Sequence, residues 1–164
     1  MKILRLLTVF ALVLGLAGCG HNKFRRYNGP EVTLIQVNKS DRMMYLFHGD
    51  KLLKSYEFAL GFAPVGHKEF EGDGKTPEGL YYISHKNPNS NYHLSLRISY
   101  PNEADIAFAE AAGKEPGGDI FIHGGPNKPV TRRDWTWGCI ALTDREIEMV
   151  YAMVKPGTPI NILP

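Results

Sequence analysis

From residue 32 onward the chain is a succession of short apolar or alternating runs separated by turn-forming residues, and this limits it to a β-rich fold. Val32 to Asn38, Met43 to His48, Leu52 to Leu60, Leu80 to His85, Leu94 to Ile98 and Ile120 to His123 are such runs. Asn-Lys-Ser-Asp, His-Gly-Asp and Asn-Pro-Asn-Ser turns lie between them. Thr158 to Leu163 supplies a last strand. Short strands at this spacing predict a mainly β sandwich or barrel with two or three short helices. Asn102 is placed to cap a helix over Glu103 to Ala112, stopped by Gly113, with Ile106 and Phe108 on an inward-facing apolar side. Thr143 and Glu146 have capping-box spacing ahead of Ile147, Val150, Tyr151 and Val154, and Lys155-Pro156-Gly157 ends that second helix. A chain of 164 residues accommodates one such domain, residues 32–164.

The N-terminus reads differently. Lys2 and Arg5 precede an apolar stretch from Leu6 to Leu16, the order of charged, apolar and small residues found in secretory signals. Arg5 and His21 bracket 15 residues, short of the ~20 that a spanning helix needs. Leu16-Ala17-Gly18-Cys19 resembles the bacterial lipobox, in which cleavage precedes a cysteine that is then acylated. That resemblance implies a signal peptide over residues 1–18, Cys19 as lipidation site, and a short tether over residues 19–31 containing Lys23, Arg25, Arg26, Gly29 and Pro30. It further implies an exported, membrane-anchored protein; Gly20 rather than Asp after the cysteine points to the periplasmic face of the outer membrane. Loss of Lys2 and Arg5 reduces 19 basic residues to 17, equal to the 17 acidic ones, so no overall basic field is left for nucleic acid.

Counting removes several chemistries. Gly74-Lys75-Thr76 looks like the end of a phosphate-binding loop, but Glu69 stands where the loop requires glycine. There is no GxGxxG, HExxH or CxxC. His93, His123 and Cys139 lack the paired spacing of a zinc site, and no cofactor is expected.

What remains is His123-Gly124 at a strand end and, further on, Thr136-Trp137-Gly138-Cys139. A thiol becomes a nucleophile when an imidazole takes its proton, and a helix N-terminus nearby lowers its pKa. Cys139 stands just ahead of the helix capped at Thr143, and Gly138 permits a sharp turn that frees backbone N–H groups for an oxyanion. With Cys19 acylated, Cys139 has no disulfide partner. Buried as a small hydrophobe is the alternative use of such a cysteine.

His123-Gly124, Thr136-Trp137-Gly138-Cys139-Ile140-Ala141-Leu142 and Gly72-Asp73-Gly74-Lys75-Thr76-Pro77-Glu78-Gly79 together resemble the YkuD-type L,D-transpeptidase catalytic domain. Asn87 to Leu96, Ser99 to Asn102 and Thr143-Asp144 resemble its YafK-like branch in particular. The resemblance implies a YkuD-like β-sandwich or barrel acting on peptidoglycan stem peptides. It implies Cys139 as nucleophile, His123 as general base, Gly124 as the residue whose carbonyl orients the imidazole, and Gly138 in the oxyanion region. Thr136, Trp137, Trp135, His93 and Arg133 are the candidate substrate-binding residues, and Thr76 to Gly79 is read as turn architecture.

Two departures from the common family signature bear on the reaction: Trp137 stands in place of His, and Ala141 in place of an Arg expected to support substrate carboxylate binding. Arg132 or Arg133 is placed to supply that charge. The expected reaction is thioester formation at diaminopimelate, then 3-3 cross-linking or protein anchoring. The YafK-like branch lacks the arginine too and is associated with hydrolysing the link between a lipoprotein and peptidoglycan, so hydrolysis is the alternative. A non-catalytic wall-binding lipoprotein is a third reading, although a pure binder has no need of a thiol.

Overall fold

The computed structural model describes residues 22–126 and 128–164. The signal segment 1–18 and Cys19 lie outside the described residues. Among the described residues, eight strands and two helices follow in the order β1 Leu34–Asn38, β2 Met43–His48, β3 Lys51–Glu57, β4 Gly79–Asn87, β5 Ser95–Ile98, α1 Glu103–Ala111, β6 Phe121–His123, β7 Ile140–Ala141, α2 Asp144–Met153 and β8 Pro159–Leu163. They form one sheet in the order β3-β2-β1-β8-β4-β5-β6-β7. β1–β8 and β6–β7 pair in parallel and the other neighbours antiparallel.

The alternation that announces each strand also curls the sheet around its core. Ile35 and Val37, Met44 and Leu46, Tyr81 and Ile83, and Ile160 and Ile162 all turn one face inward and are buried. β3, with Lys51, Lys54 and Glu57, is the exposed edge. The two sheet ends meet. Just past β3, Ala59 exchanges two backbone hydrogen bonds of 2.9 Å with Ala141 of β7. Beside them Phe62 N–H donates to Thr136 O at 3.0 Å and Thr136 N–H to Leu60 O at 3.1 Å. The segment carrying Cys139 is therefore held by β6 on one side and by residues 59–62 on the other.

Both helices begin with capping boxes, Asn102 with Asp105 and Thr143 with Glu146. α2 packs against β5 and β6, burying Ile147, Glu148, Val150 and Met153. α1 departs from expectation: Ile106 and Phe108 are exposed, and the buried residues are Asp105 and Ala109. The helix is positioned by polar contacts instead. Asp105 accepts from Tyr81 Oη at 2.9 Å and pairs with His67 at 3.1 Å, while Phe108 stacks on Phe70.

Among the described residues ahead of β1, Lys23, Arg25 and Tyr27 contact the domain. Lys23 Nζ donates to the carbonyls of Pro88 and His93 at 2.6 and 3.1 Å. Arg25 pairs with the fully buried Glu148 carboxylate at 2.8 Å, and Tyr27 packs against the core.

Candidate active site

β6 and the residue just before β7 bring His123 and Cys139 to one face of the sheet. His123 is in register with Ala141 and Ile122 with Ile140, so Cys139 is level with Phe121, two positions from His123 and on the same side. Ile122 and Ile140, fully buried, point the opposite way. His123 and Cys139 both line a cavity of about 270 Å³, together with Asn87, Tyr92, Ser95 and Asp119.

The imidazole is almost enclosed, 3% exposed. Its Nδ1 lies 2.7 Å from the Gly124 carbonyl, so Nδ1 carries the proton as donor and Nε2 keeps the lone pair. Gly124 is required there: a Cβ would come within 2.6 Å of Asp144 Oδ1 and 2.8 Å of the Tyr92 carbonyl. Asp144 also accepts from Gly125 N–H at 3.0 Å, so the first residue of α2 braces the loop after β6. Burial lowers the His123 pKa, opposed by the Gly124 carbonyl.

Around Cys139 the backbone is pinned. Thr136 Oγ1 donates to the Cys139 carbonyl at 2.7 Å and accepts from Gly138 N–H at 3.3 Å. Gly138 has φ 120°, and a Cβ there would collide with the Lys75 carbonyl, so no other residue fits the turn. The Gly138 N–H is thus already engaged by Thr136. The thiol contacts the Asp119 carbonyl at 3.5 Å. Burial pushes its pKa up to about 11, with Asp119 adding to the rise and the Phe121 backbone N–H and Lys68 opposing it. The helix that the sequence places after Cys139 begins at Asp144, with β7 between them. Burial thus disfavours the charged form of both side chains, the imidazolium of His123 and the thiolate of Cys139.

Cys139 also lines a second cavity of about 390 Å³ with Lys68, Glu71, Gly117, Asp119 and Trp137. Trp137 is 71% exposed and meets Phe62 edge-on at 5.0 Å. Trp135 lies 5.7 Å from both Tyr92 and His123. Arg133 lines a further cavity of about 670 Å³ that includes Ala141, Tyr56 and Trp135, so this arginine borders the space left by the small residue at 141. Arg132 faces the neighbouring hollow of Phe62, Pro129 and Trp137. His93 does not reach the cysteine. It sits in a turn at φ 68°, not in a strand, and its Nε2 bonds Glu148 at 3.0 Å. Tyr92, Ser95, Asp119 and Lys68 border the thiol without having been singled out; the alternation of β5, which sets Ser95 opposite His123, is the signal that locates Ser95.

The model of the YkuD L,D-transpeptidase catalytic domain matches residues 32–162. YafK of Escherichia coli K12, a protein carrying an L,D-transpeptidase name, is 29% identical over 143 residues, 79% of this chain and 53% of its own length. The crystal structure of the helical cell shape determining protein Pgp2 from Campylobacter jejuni superposes with TM-score 0.62 at 27% identity, over 87% of this chain and 51% of that one. The L,D-transpeptidase from Mycobacterium smegmatis shares the fold at TM-score 0.56 and 16% identity, over 83% of this chain and 60% of that one. The chain spans about half the length of the curated relatives it matches. With the family model covering the sheet, both helices and Cys139, this chain belongs to the YkuD family of L,D-transpeptidase catalytic domains.

Proposed function

We propose that the protein is a peptidoglycan-modifying cysteine enzyme that forms a thioester on stem peptides at diaminopimelate. One observation carries this reading: Cys139 and an imidazole with its Nδ1 proton committed to Gly124 line the same cavity. His123 Nε2 takes the thiol proton as Sγ attacks the carbonyl of the L-centre of diaminopimelate. Backbone N–H at Cys139 stabilises the oxyanion. Collapse expels the terminal D-Ala as an amine, protonated by His123, and leaves the acyl group on sulfur. The second cavity bordered by Cys139, whose lining does not include His123, gives an acceptor its own approach. A diaminopimelate amine there yields a 3-3 cross-link, and a lysine amine yields a wall-anchored protein; His123 removes the amine proton and the thiol is regenerated.

Hydrolysis is the second reading, and Ala141 favours it. The position bordering the cavity of Arg133 and Tyr56 carries no charge of its own, as in the YafK-like branch. Water as acceptor then releases the acyl group, and a lipoprotein linked to the wall is the corresponding substrate. Trp135 walls the His123 side, Trp137 the acceptor side, and Arg133 meets a stem-peptide carboxylate. Thr136 shapes the nucleophile turn. The site acts without a cofactor. Lipidation at Cys19 places the enzyme at the periplasmic face of the outer membrane, beside its polymer substrate. Mass spectrometry of sacculi incubated with the protein tests the proposal: new 3-3 dimers identify transpeptidation, released tripeptide-linked protein fragments identify hydrolysis, and unchanged sacculi contradict both.

A further inference from the structure

Lys39 is an ammonium group placed where one is costly, 2% exposed at the end of β1. It is tolerated because three acceptors meet it: the Gly66 carbonyl at 2.5 Å, the Thr76 carbonyl at 3.1 Å and the Glu78 carboxylate at 2.8 Å. All three belong to the loop between residues 61 and 79. The same loop is tightened by Asp73, whose carboxylate accepts from the N–H groups of Glu69, Phe70 and Lys75 and from Lys68 Nζ. What this rigid loop delivers is the Thr76 hydroxyl. Thr76 is fully buried, and its Oγ1 donates to the Gly138 carbonyl at 2.8 Å.

The Gly138 carbonyl and the Cys139 N–H belong to one planar trans unit and point in opposite directions. A carbonyl held toward Thr76 therefore turns the Cys139 N–H away from the loop. Thr136 Oγ1 holds the next carbonyl, that of Cys139 itself. The peptide planes on both sides of the nucleophile are thus each fixed by one threonine hydroxyl. The first of them needs the restraint more, because Gly138 has the backbone freedom to let that plane rotate.

We propose that Thr76, anchored by Lys39, is a positioning residue for acyl transfer that orients the Cys139 N–H toward the developing oxyanion. This rests on the reading of Cys139 as an acyl-forming nucleophile. Two measurements on the same protein separate the proposal from a general packing role. Acylation by a disaccharide tetrapeptide passes through an oxyanion; alkylation by iodoacetamide is a displacement at saturated carbon and does not. Thr76→Val should slow acylation, followed by intact-protein mass spectrometry, about 100-fold. It should leave the pH profile of alkylation within about twofold of wild type, and Thr76→Ser should restore acylation to within about threefold. Equal acylation by wild type and Thr76→Val overturns the positioning role alone. So does a fall in alkylation that matches the fall in acylation. A wild-type protein that is alkylated but never acylated overturns the acyl-transfer reading, and the positioning role falls with it.

Discussion

The ring of Tyr92 lies over that of His123, centroids 4.5 Å apart and planes 30° from parallel. With Nδ1 tied to Gly124 and Trp135 closing from the side, the imidazole is left with one free vertex, Nε2. Tyr92→Ala should let the ring tilt and lower kcat about fivefold with little change in KM, in line with the ~1 kcal/mol that aromatic pairs contribute. Tyr92→Phe keeps the stack and should stay near wild type. Steady-state release of D-Ala separates the two variants.

The pH profile follows from the two perturbed groups. Burial lowers the His123 pKa below its ordinary 6.5, so the base stays neutral and competent at pH 6.5 and loses activity only as pH falls through that lower value. The thiol titrates near 11, so alkylation of the free enzyme should still be rising above pH 9. A rate of alkylation already maximal at pH 7 would instead mean a preformed thiolate–imidazolium pair.

Legibility of the fold followed burial. β2 is legible to the residue because Met43 to His48 alternates cleanly between two turns, and the caps at Asn102 and Thr143 are legible because they are local; that Asn102 forms a full box with Asp105 is seen only in the structure. β7 was not, since two residues carry no periodicity; Ile140 and Ala141 are a strand only because β6 and residue 59 flank them. Ile106 and Phe108 misled because exposure on α1 is decided by Asp105, a carboxylate drawn inward by Tyr81 and His67. Family resemblance drew attention to His123 and Cys139, whereas Tyr92 and Thr76 act through contacts 31 and 62 residues away in sequence.

The segment before β1 should tune the cavity wall. Lys23 holds Pro88 and His93, and Glu148 joins Arg25 to His93, so the loop from Asn87 to His93 is fastened from below. Arg25 is 42% exposed, so Arg25→Ala should cost less than about 1 kcal/mol. Glu148→Ala strips the buried acceptor from two partners and should cost about 2 kcal/mol. Thermal denaturation reads the stability, and hydrogen exchange at residues 89–93 should rise in both variants.

Arg133 should act on binding rather than on chemistry. Arg133→Ala is expected to raise KM for a tetrapeptide substrate about five- to tenfold with kcat within about twofold, as loss of an exposed charge-assisted contact does. A fall in kcat at unchanged KM would place the guanidinium at the reacting atoms instead.

The thioester on Cys139 is the central claim, and acid-quenched intact-protein mass spectrometry of wild type, Cys139→Ala and His123→Gln during incubation with stem tetrapeptide tests it most directly. Wild type should carry the acyl group on Cys139 as D-Ala appears, His123→Gln should accumulate it about 100-fold more slowly, and Cys139→Ala should show neither adduct nor D-Ala. D-Ala released by Cys139→Ala, or a wild-type thiol that stays bare while the stem peptide is consumed, would contradict the account.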